Sequence, residues 1–247
     1  MSTNTGSFQI LECVDSTNNY AMQKIYSHKA SDGDAWFAMD QTNGKGRRGK
    51  HWAAQKGENI ILSIAVTTLF LQVYEQFQLS VTVSIACYDL LKKYDNINTK
   101  IKWPNDIFWN DKKAGGILIE NIIKGNIWQW SVIGIGININ QTCFPFFEKN
   151  QPVSLKQITG KVFDPVELGK ELYTHVISRL NDLKANKFEN ILEEYNGILY
   201  KRNEKVRLKK QNIIFETTIK DVSPLGQLQT VDSIERHFDF DEIEWLL

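Results

Sequence analysis

The sequence predicts one large domain of mixed helices and strands followed by a small β-barrel. Over residues 1–200, apolar runs of strand length alternate with apolar stripes of helical spacing. After Arg202 the helical stripes stop, and short β-rich runs follow, punctuated by Pro224-Leu225-Gly226. The boundary is therefore placed between a large unit at 1–200 and a small C-terminal unit at 201–247. Composition agrees: 247 residues at 42% hydrophobic supply ample core, which excludes a disordered or fibrous protein.

The elements can be justified in order. Phe8–Val14 reads as a strand, leading through Asp15-Ser16-Thr17-Asn18 into a short helix with Ala21 and Ile25 on one face. Ala35–Met39 is a second strand and feeds a glycine-rich basic loop from Gln41 to Trp52. Ile60–Val66 is a buried strand, and Leu79, Val83, Ala86, Cys87, Leu90 and Tyr94 recur at helical spacing. One hairpin joins Ile107–Trp109 to Gly115–Glu120 through Asn110-Asp111-Lys112; another turns at Gly125-Asn126. Asp164, Pro165 and Glu167 mark a helix start, and the stripe Leu168, Leu172, Val176, Leu180, Leu183 carries that helix to Lys184. A shorter helix through Ile191, Leu192 and Tyr195 stops at Gly197. The runs Lys205–Leu208, Ile213–Ile219, Leu228–Val231 and His237–Phe240 suggest a barrel of about five strands.

Charge and rare residues narrow the function. Lys+Arg and Asp+Glu both number 29, so the basic excess of a nucleic-acid binder is missing. Cys13, Cys87 and Cys143, like the four histidines, are scattered, which indicates neither a disulfide framework nor a protein metal site. The N-terminus lacks the pattern of a signal peptide, and no apolar run reaches membrane-spanning length. A soluble, reduced, cytoplasmic protein is expected.

Gly44-Lys45-Gly46-Arg47-Arg48-Gly49-Lys50-His51 matches two phosphate-loop patterns, G-x-G-x-x-G and G-x-x-x-x-G-K. Both require a helix directly after the loop, whose N-terminus holds the phosphates. Here the loop runs into a strand, and His51 stands where a magnesium-binding hydroxyl belongs, so both readings fail. What remains is three glycines interleaved with four cations, a combination suited to gripping a phosphate or carboxylate; the plainer alternative is a solvated loop.

In Val132–Asn140, Ile133, Ile135, Ile137 and Ile139 face one side of a strand, and Gly134, Gly136, Asn138 and Asn140 the other. The bare glycine face is either a floor for a ligand or a place for a helix to pack closely. Lys113, just past a turn and before Gly115-Gly116, is either a solvent lysine or a cation beside a thinned wall. Ser16-Thr17-Asn18 is either an N-cap cluster or a row of donors and acceptors for a polar, uncharged group.

Taken together, these segments resemble the biotin protein ligases. The resemblance rests on Asp15-Ser16-Thr17-Asn18, on Gln41-Thr42-Asn43-Gly44-Lys45-Gly46-Arg47-Arg48-Gly49 with Trp52, on Lys102-Trp103-Pro104-Asn105-Asp106, on Lys113-Ala114-Gly115-Gly116-Ile117-Leu118-Ile119-Glu120, and on Gly134-Ile135-Gly136-Ile137-Asn138. It covers roughly residues 8–140 in the family's order and spacing. It implies an α+β fold, a mixed sheet with packed helices similar to the class II aminoacyl-tRNA synthetase core, plus an SH3-like barrel.

The implied activity is two-step: ATP, with its magnesium, and biotin give biotinyl-adenylate, and a lysine of a biotin carboxyl carrier domain then takes the biotin. Carried over by position, Lys113 bridges the biotin carboxylate and the α-phosphate, and Arg47, with the backbone at Lys45-Gly46 and neighbours Gly44 and Arg48, closes over the adenylate. Ser16, Thr17 and Gln41 bind the polar end of biotin, supported by Asn18. Gly116 and Gly134 give the ring close access to the sheet, Asn138 is counted among the substrate-binding residues, Asp106 organises the site and positions the incoming amine, and Trp52 packs near the adenine or the far end of the loop. The family usually has Arg where this chain has Lys45, which loses a bidentate fork and implies weaker hold on the intermediate. Some members carry an N-terminal DNA-binding domain; with about seven residues before the first strand, neither DNA binding nor repression is expected here, and the protein is expected as monomer or homodimer. Two rivals remain: a lipoate or octanoate ligase on the same fold, and a non-catalytic biotin-sensing module.

Overall fold

The computed structural model describes residues 6–145 and 151–246. Its centre is a seven-stranded mixed sheet in the order β1-β2-β3-β7-β6-β5-β4. These strands are β1 (Phe8–Leu11), β2 (Ala35–Ala38), β3 (Asn59–Thr67), β4 (Thr99–Lys102), β5 (Asp106–Trp109), β6 (Lys112–Lys124) and β7 (Ile127–Asn138). Only β1 and β2 run parallel, and the remaining neighbours are antiparallel. The long strands β3, β6 and β7 form the middle, which is why β3 reads as an unbroken apolar run: it is buried along almost its whole length.

The two faces of the sheet are used differently. Ile60, Leu62 and Ile64 of β3 and Ile133, Ile135 and Ile137 of β7 point into the main core. There they meet α2 (Gln76–Leu91), α4 (Pro165–Lys184) and α5 (Phe188–Gly197). Because α2 lies between the sheet and the other two helices, it is apolar nearly all round. Asp164 caps α4 by accepting from Val166 N at 2.8 Å and Glu167 N at 3.3 Å, with Pro165 at the first position, as the sequence predicts. Among the described residues the opposite face carries only α1 (Thr17–Tyr26), whose Ala21 and Ile25 pack on Trp36, Ala65 and Val132. The rest of that face, around Gly116, Gly134 and Gly136, forms the floor of a cleft.

Five strands follow α5: β8 (Lys205–Lys210), β9 (Ile213–Val222), β10 (Leu228–Val231), β11 (Glu235–Phe238) and β12 (Glu244–Leu246), in the antiparallel order β11-β10-β9-β8-β12. The sequence names four of these; the last strand in the structure is the three-residue β12, while Phe240 lies outside any strand. Two further elements, outside the C-terminal sheet, have no counterpart in the sequence reading. One is β4, and the other is α3 (Leu155–Thr159), a single turn capped by Ser154 and ended by Gly160 in the left-handed conformation. The C-terminal sheet is tied to the first through Trp103, whose Nε1 donates to Gly226 O at 2.9 Å and whose ring lies 5.4 Å from Phe240.

Candidate active site

The strand β1 and the loop after β2 bring the first motifs together. Residues 14–15 pair with 41–43: Thr42 N donates to Val14 O at 3.0 Å and Asn43 N to Asp15 O at 2.8 Å. That pairing sets Gln41 beside the first turn of α1, where Gln41 Oε1 accepts from Thr17 N at 2.7 Å. Ser16, the N-cap of α1, makes no side-chain cap bond and is buried at the cleft wall. Asn18 turns back toward the sheet, donating from Nδ2 to Glu120 Oε2 at 2.7 Å, while its Oδ1 lies 2.6 Å from Ser63 Oγ.

The glycine face of β7 is claimed by side chains of the protein itself. A Cβ at Gly134 would stand 2.9 Å from Asn18 Cγ and nearer still to Oδ1; a Cβ at Gly136 would stand 2.5 Å from the Trp52 indole. Of the two readings of those glycines, close packing describes Gly134, where a residue of α1 occupies the space. The cleft opens beside these side chains and is lined by Ser16, Thr17, Asn18, Gln41, Lys45, Gly46, Arg47, Trp52, Lys113, Gly116 and Gly134 among others.

Lys113 is held from both sides. It lies just past the 110–111 turn, near the start of β6, paired with Phe108 of β5, and its backbone also exchanges bonds with residues 151 and 153 at 2.9 Å each. Asn138 braces the same point, donating to Lys113 O at 3.3 Å and Val153 O at 3.2 Å, so its amide faces backbone rather than the cleft. The Lys113 ammonium donates to Asp106 Oδ1 at 2.6 Å. Gly116 makes room for that pair: a Cβ there would sit 3.2 Å from Lys113 Nζ and 3.4 Å from Asp106 Oδ1.

The basic loop folds back on itself, with Gly46 N donating to Lys50 O at 2.7 Å and one 3₁₀ turn at Arg47–Gly49. No helix follows it; the next regular element is β3, so neither phosphate-loop pattern applies. Gly44 lies beneath the loop, where a side chain would strike the Trp52 carbonyl; it does not line the cleft. Arg47 donates to Asn105 Oδ1 at 3.4 Å, and lies 5.5 Å from the Phe240 ring. Asp241 sits 2.5 Å from Arg48 Nη2 and 3.4 Å from Arg47 Nη2. Arg48, Asp106 and Asn138 line a second, larger hollow that adjoins the first at Gly46, Arg47, Trp52, Asn105 and Lys113.

Lys102 also borders that hollow. Burial pulls its ammonium pKa down to about 8, and Asp106, opposite it in the β4–β5 register, pulls the other way. Among the described residues no cluster of three or more His, Cys, Asp or Glu could hold a metal ion.

The sequence reading misses Ser63, Glu120, Asn105 and Asp241 as site residues. Ser63 is a lone hydroxyl inside the run Ile60–Val66, and Glu120 is a charge on the cleft face of β6, in alternation with Gly116; both signals are readable. Asn105 stands within a motif that gives it no role of its own; its Nδ2 donates to Ile117 O at 2.7 Å, locking it under Arg47. Asp241 has no local signal, since it reaches Arg47 from 194 residues away.

Comparison with known proteins agrees with this geometry. Residues 10–138 match the family model described as the biotin/lipoate A/B protein ligase family. The chain is 36% identical over 138 residues to a bifunctional ligase/repressor of Escherichia coli, a match covering 54% of this chain and 41% of that protein. It is 32% identical over 168 residues to a biotin–[acetyl-CoA-carboxylase] ligase of Paracoccus denitrificans, covering 64% and 66%. The chain spans about half the length of the curated relatives it matches. Its fold is shared with the Aquifex aeolicus biotin protein ligase solved with biotin and ATP, at a TM-score of 0.81 and 24% identity over 97% of this chain and 98% of that one.

Proposed function

The chain belongs to the biotin/lipoate A/B protein ligase family, and on that premise we propose that it is an ATP-dependent biotin protein ligase that serves a biotin carboxyl carrier domain. The observation that carries this reading is a single cleft with two chemically different ends. One end offers uncharged donors and acceptors from Ser16, Thr17 and Gln41; the other offers the Lys113 and Arg47 cations. Biotin has the same division, a cyclic urea at one end and a carboxylate at the other.

In the first step a biotin carboxylate oxygen attacks the α-phosphorus of ATP and pyrophosphate leaves with the bonding electrons. The two anions repel and negative charge builds on the α-phosphoryl oxygens, so a fixed ammonium and guanidinium lower the barrier. Lys113 is suited to bridging both groups because its backbone is clamped and its ammonium is aimed by Asp106. Arg47, on a loop that borders both hollows, would close over the adenylate together with the backbone at Lys45-Gly46. Magnesium would arrive with ATP as its counter-ion. In the second step a carrier lysine amine attacks the acyl carbon and AMP leaves. Asp106 stands next to Lys113, where it can orient that amine.

A lipoyl or octanoyl group would leave the neutral end of the cleft unanswered, since a dithiolane or an alkyl chain has neither an N–H to give nor a carbonyl to accept. Mass spectrometry of the small molecules after mixing protein, ATP, magnesium and biotin, with lipoate in a parallel tube, tests the reading. The expected product is biotinyl-adenylate, lost in Lys113→Ala. Biotin binding without any adenylate would leave a sensing module, and lipoyl-adenylate alone would move the assignment to the other branch of the family.

A further inference from the structure

We propose that Asp241 is a positioning residue for the nucleotide step. Without ATP its carboxylate occupies the anion seat of Arg47 and Arg48, and a polyphosphate must displace it before the basic loop closes. This deepens the ATP reading above and rests on it for the identity of the anion.

Both arginines converge on one oxygen. Asp241 Oδ1 lies 2.5 Å from Arg48 Nη2 and 3.4 Å from Arg47 Nη2. Neighbouring side chains diverge on regular backbone, so the convergence needs a bend. The bend falls at Arg48, whose φ of 57° and ψ of 37° lie in the left-handed region that a bulky side chain rarely adopts. Asp241 is left-handed as well, with φ at 74°. Two uncommon backbone conformations thus face each other across a single carboxylate.

The two sides of this contact are held differently. Asp241 stands in the turn between β11 and β12. Phe240 beside it packs on Phe77 at 5.6 Å and on Trp103 at 5.4 Å, and Trp103 is itself bonded to Gly226. Asp239 N donates to Glu242 Oε2 at 3.0 Å across the turn, and Lys210 holds Glu242 at 2.9 Å. The segment before β8 is stitched to β4, with Tyr200 N donating to Ile101 O at 2.8 Å. Asp241 therefore belongs to a fixed wall. The arginines ride on a loop with glycines at 44, 46 and 49, so it is the loop that moves when the contact breaks.

Charge decides what breaks it. Two guanidinium forks share one carboxylate oxygen, so neither makes the bidentate pair it is shaped for. A polyphosphate offers several charged oxygens and can serve each arginine separately. The Asp241 side chain is 50% exposed, and an ion pair that wet is weak enough to exchange. Arg47, Arg48 and Asp241 all line the larger hollow, while Arg47 also lines the cleft of Lys113. An arriving triphosphate thus frees the cation that the chemistry needs, and the carboxylate retakes the seat as pyrophosphate leaves. Asp241 weakens the hold on ATP and on pyrophosphate alike.

The test compares the parent with Asp241→Asn and Asp241→Glu, by calorimetric titration with pyrophosphate and by the KM for ATP in adenylate formation. Asparagine tolerates the left-handed turn, so the first variant removes charge and little else. It should bind pyrophosphate about threefold more tightly, the scale of one exposed ion pair. Its KM for ATP should fall by a similar factor while kcat does not rise. A merely structural brace would act in the opposite sense, since its loss would raise KM. Asp241→Glu keeps the charge and should stay with the parent. The gap between parent and Asp241→Asn should shrink in about 0.5 M salt. Equal or weaker pyrophosphate binding by Asp241→Asn, or an Asp241→Glu protein that behaves like it, would overturn the proposal and leave the ligase reading intact if adenylate still forms. Tighter pyrophosphate binding by Asp241→Asn with no adenylate from any of the three proteins would uphold the seat and remove the ligase reading instead.

Discussion

Replacing Gly134 by alanine adds one methyl group at the most constrained point of the cleft. The new Cβ would stand 2.9 Å from Asn18 Cγ and 3.0 Å from Nδ2, inside the separation that ordinary contacts keep. The strand cannot give way, because Gly134 is in register with Ser63 on one side and Leu118 on the other. Asn18 must therefore move, and its bonds to Ser63 at 2.6 Å and Glu120 at 2.7 Å are lost together. A neutral bond contributes about 1 kcal/mol and one to a charged partner about 2 kcal/mol, partly offset by the roughly 0.5 kcal/mol that alanine gains over glycine in a strand. The net expectation is a loss of about 2–3 kcal/mol in urea unfolding at unchanged m-value, and a Tm lower by about 5–10 °C. Gly136→Ala is the comparison: its Cβ would meet the Trp52 indole at 2.5 Å, but Trp52 is carried by a loop and can swing aside. That variant should change tryptophan fluorescence and adenylation while losing less than about 1 kcal/mol of stability. A Gly134→Ala protein within about 0.5 kcal/mol of the parent would refute the argument, as would an equal loss in both variants.

Three further outcomes are expected. Lys113→Ala should slow adenylate formation by about 10²-fold, on the order of 3 kcal/mol for one preorganised donor, in single-turnover assays; near-normal turnover would remove its assigned role. Lys102 has its pKa lowered from 10.5 to about 8, so between those pH values the unfolded chain binds more protons than the folded one, and stability rises with pH across the window. Lys102→Met should flatten that rise, by up to about 3 kcal/mol when urea curves at about pH 7.5 and 10.5 are compared; a parallel pH dependence in the two proteins would contradict it. Asp241→Asn should release Arg47 and Arg48 and raise tryptic cleavage within Lys45–Lys50 about threefold, the modest effect of an exposed ion pair, while biotin with ATP slows cleavage in the parent; equal rates in all three samples would count against the loop as the closing element.

Local rules carry the fold where the signal is local. Asp164 and Pro165 announce α4 to the residue, and Gly125-Asn126 set the β6–β7 turn. The single turn α3 is illegible because five residues give no helical period, and β4 because Thr99–Lys102 is too short and too charged to read as a strand; the Lys102 charge is spent on Asp106 and on the Phe108 ring. At the site, Lys113 is legible only through its glycine neighbours. What makes it a rigid cation, the pairing with residues 151–153, comes from a segment with no motif at all.

The glycines show where such reading stops. Alternation along β7 reveals that Gly134 and Gly136 leave one face bare, but the occupants, Asn18 and Trp52, arrive from more than 80 residues away. A bare face could equally have admitted a ligand, and sequence alone does not choose. The same long-range closure decides Lys45. On the resemblance, lysine in place of arginine is a loss, since it forfeits a bidentate grip on phosphate. In the structure Lys45 faces Glu120, whose other oxygen holds Asn18. A point charge at 3.7 Å suits a carboxylate already committed on its second oxygen, where a guanidinium fork would compete with Asn18 for both. The departure from the family pattern thus falls where the basic loop meets the polar network, and its consequence is to be sought at the Thr17–Gln41 end of the cleft as much as at the Lys113–Arg47 end.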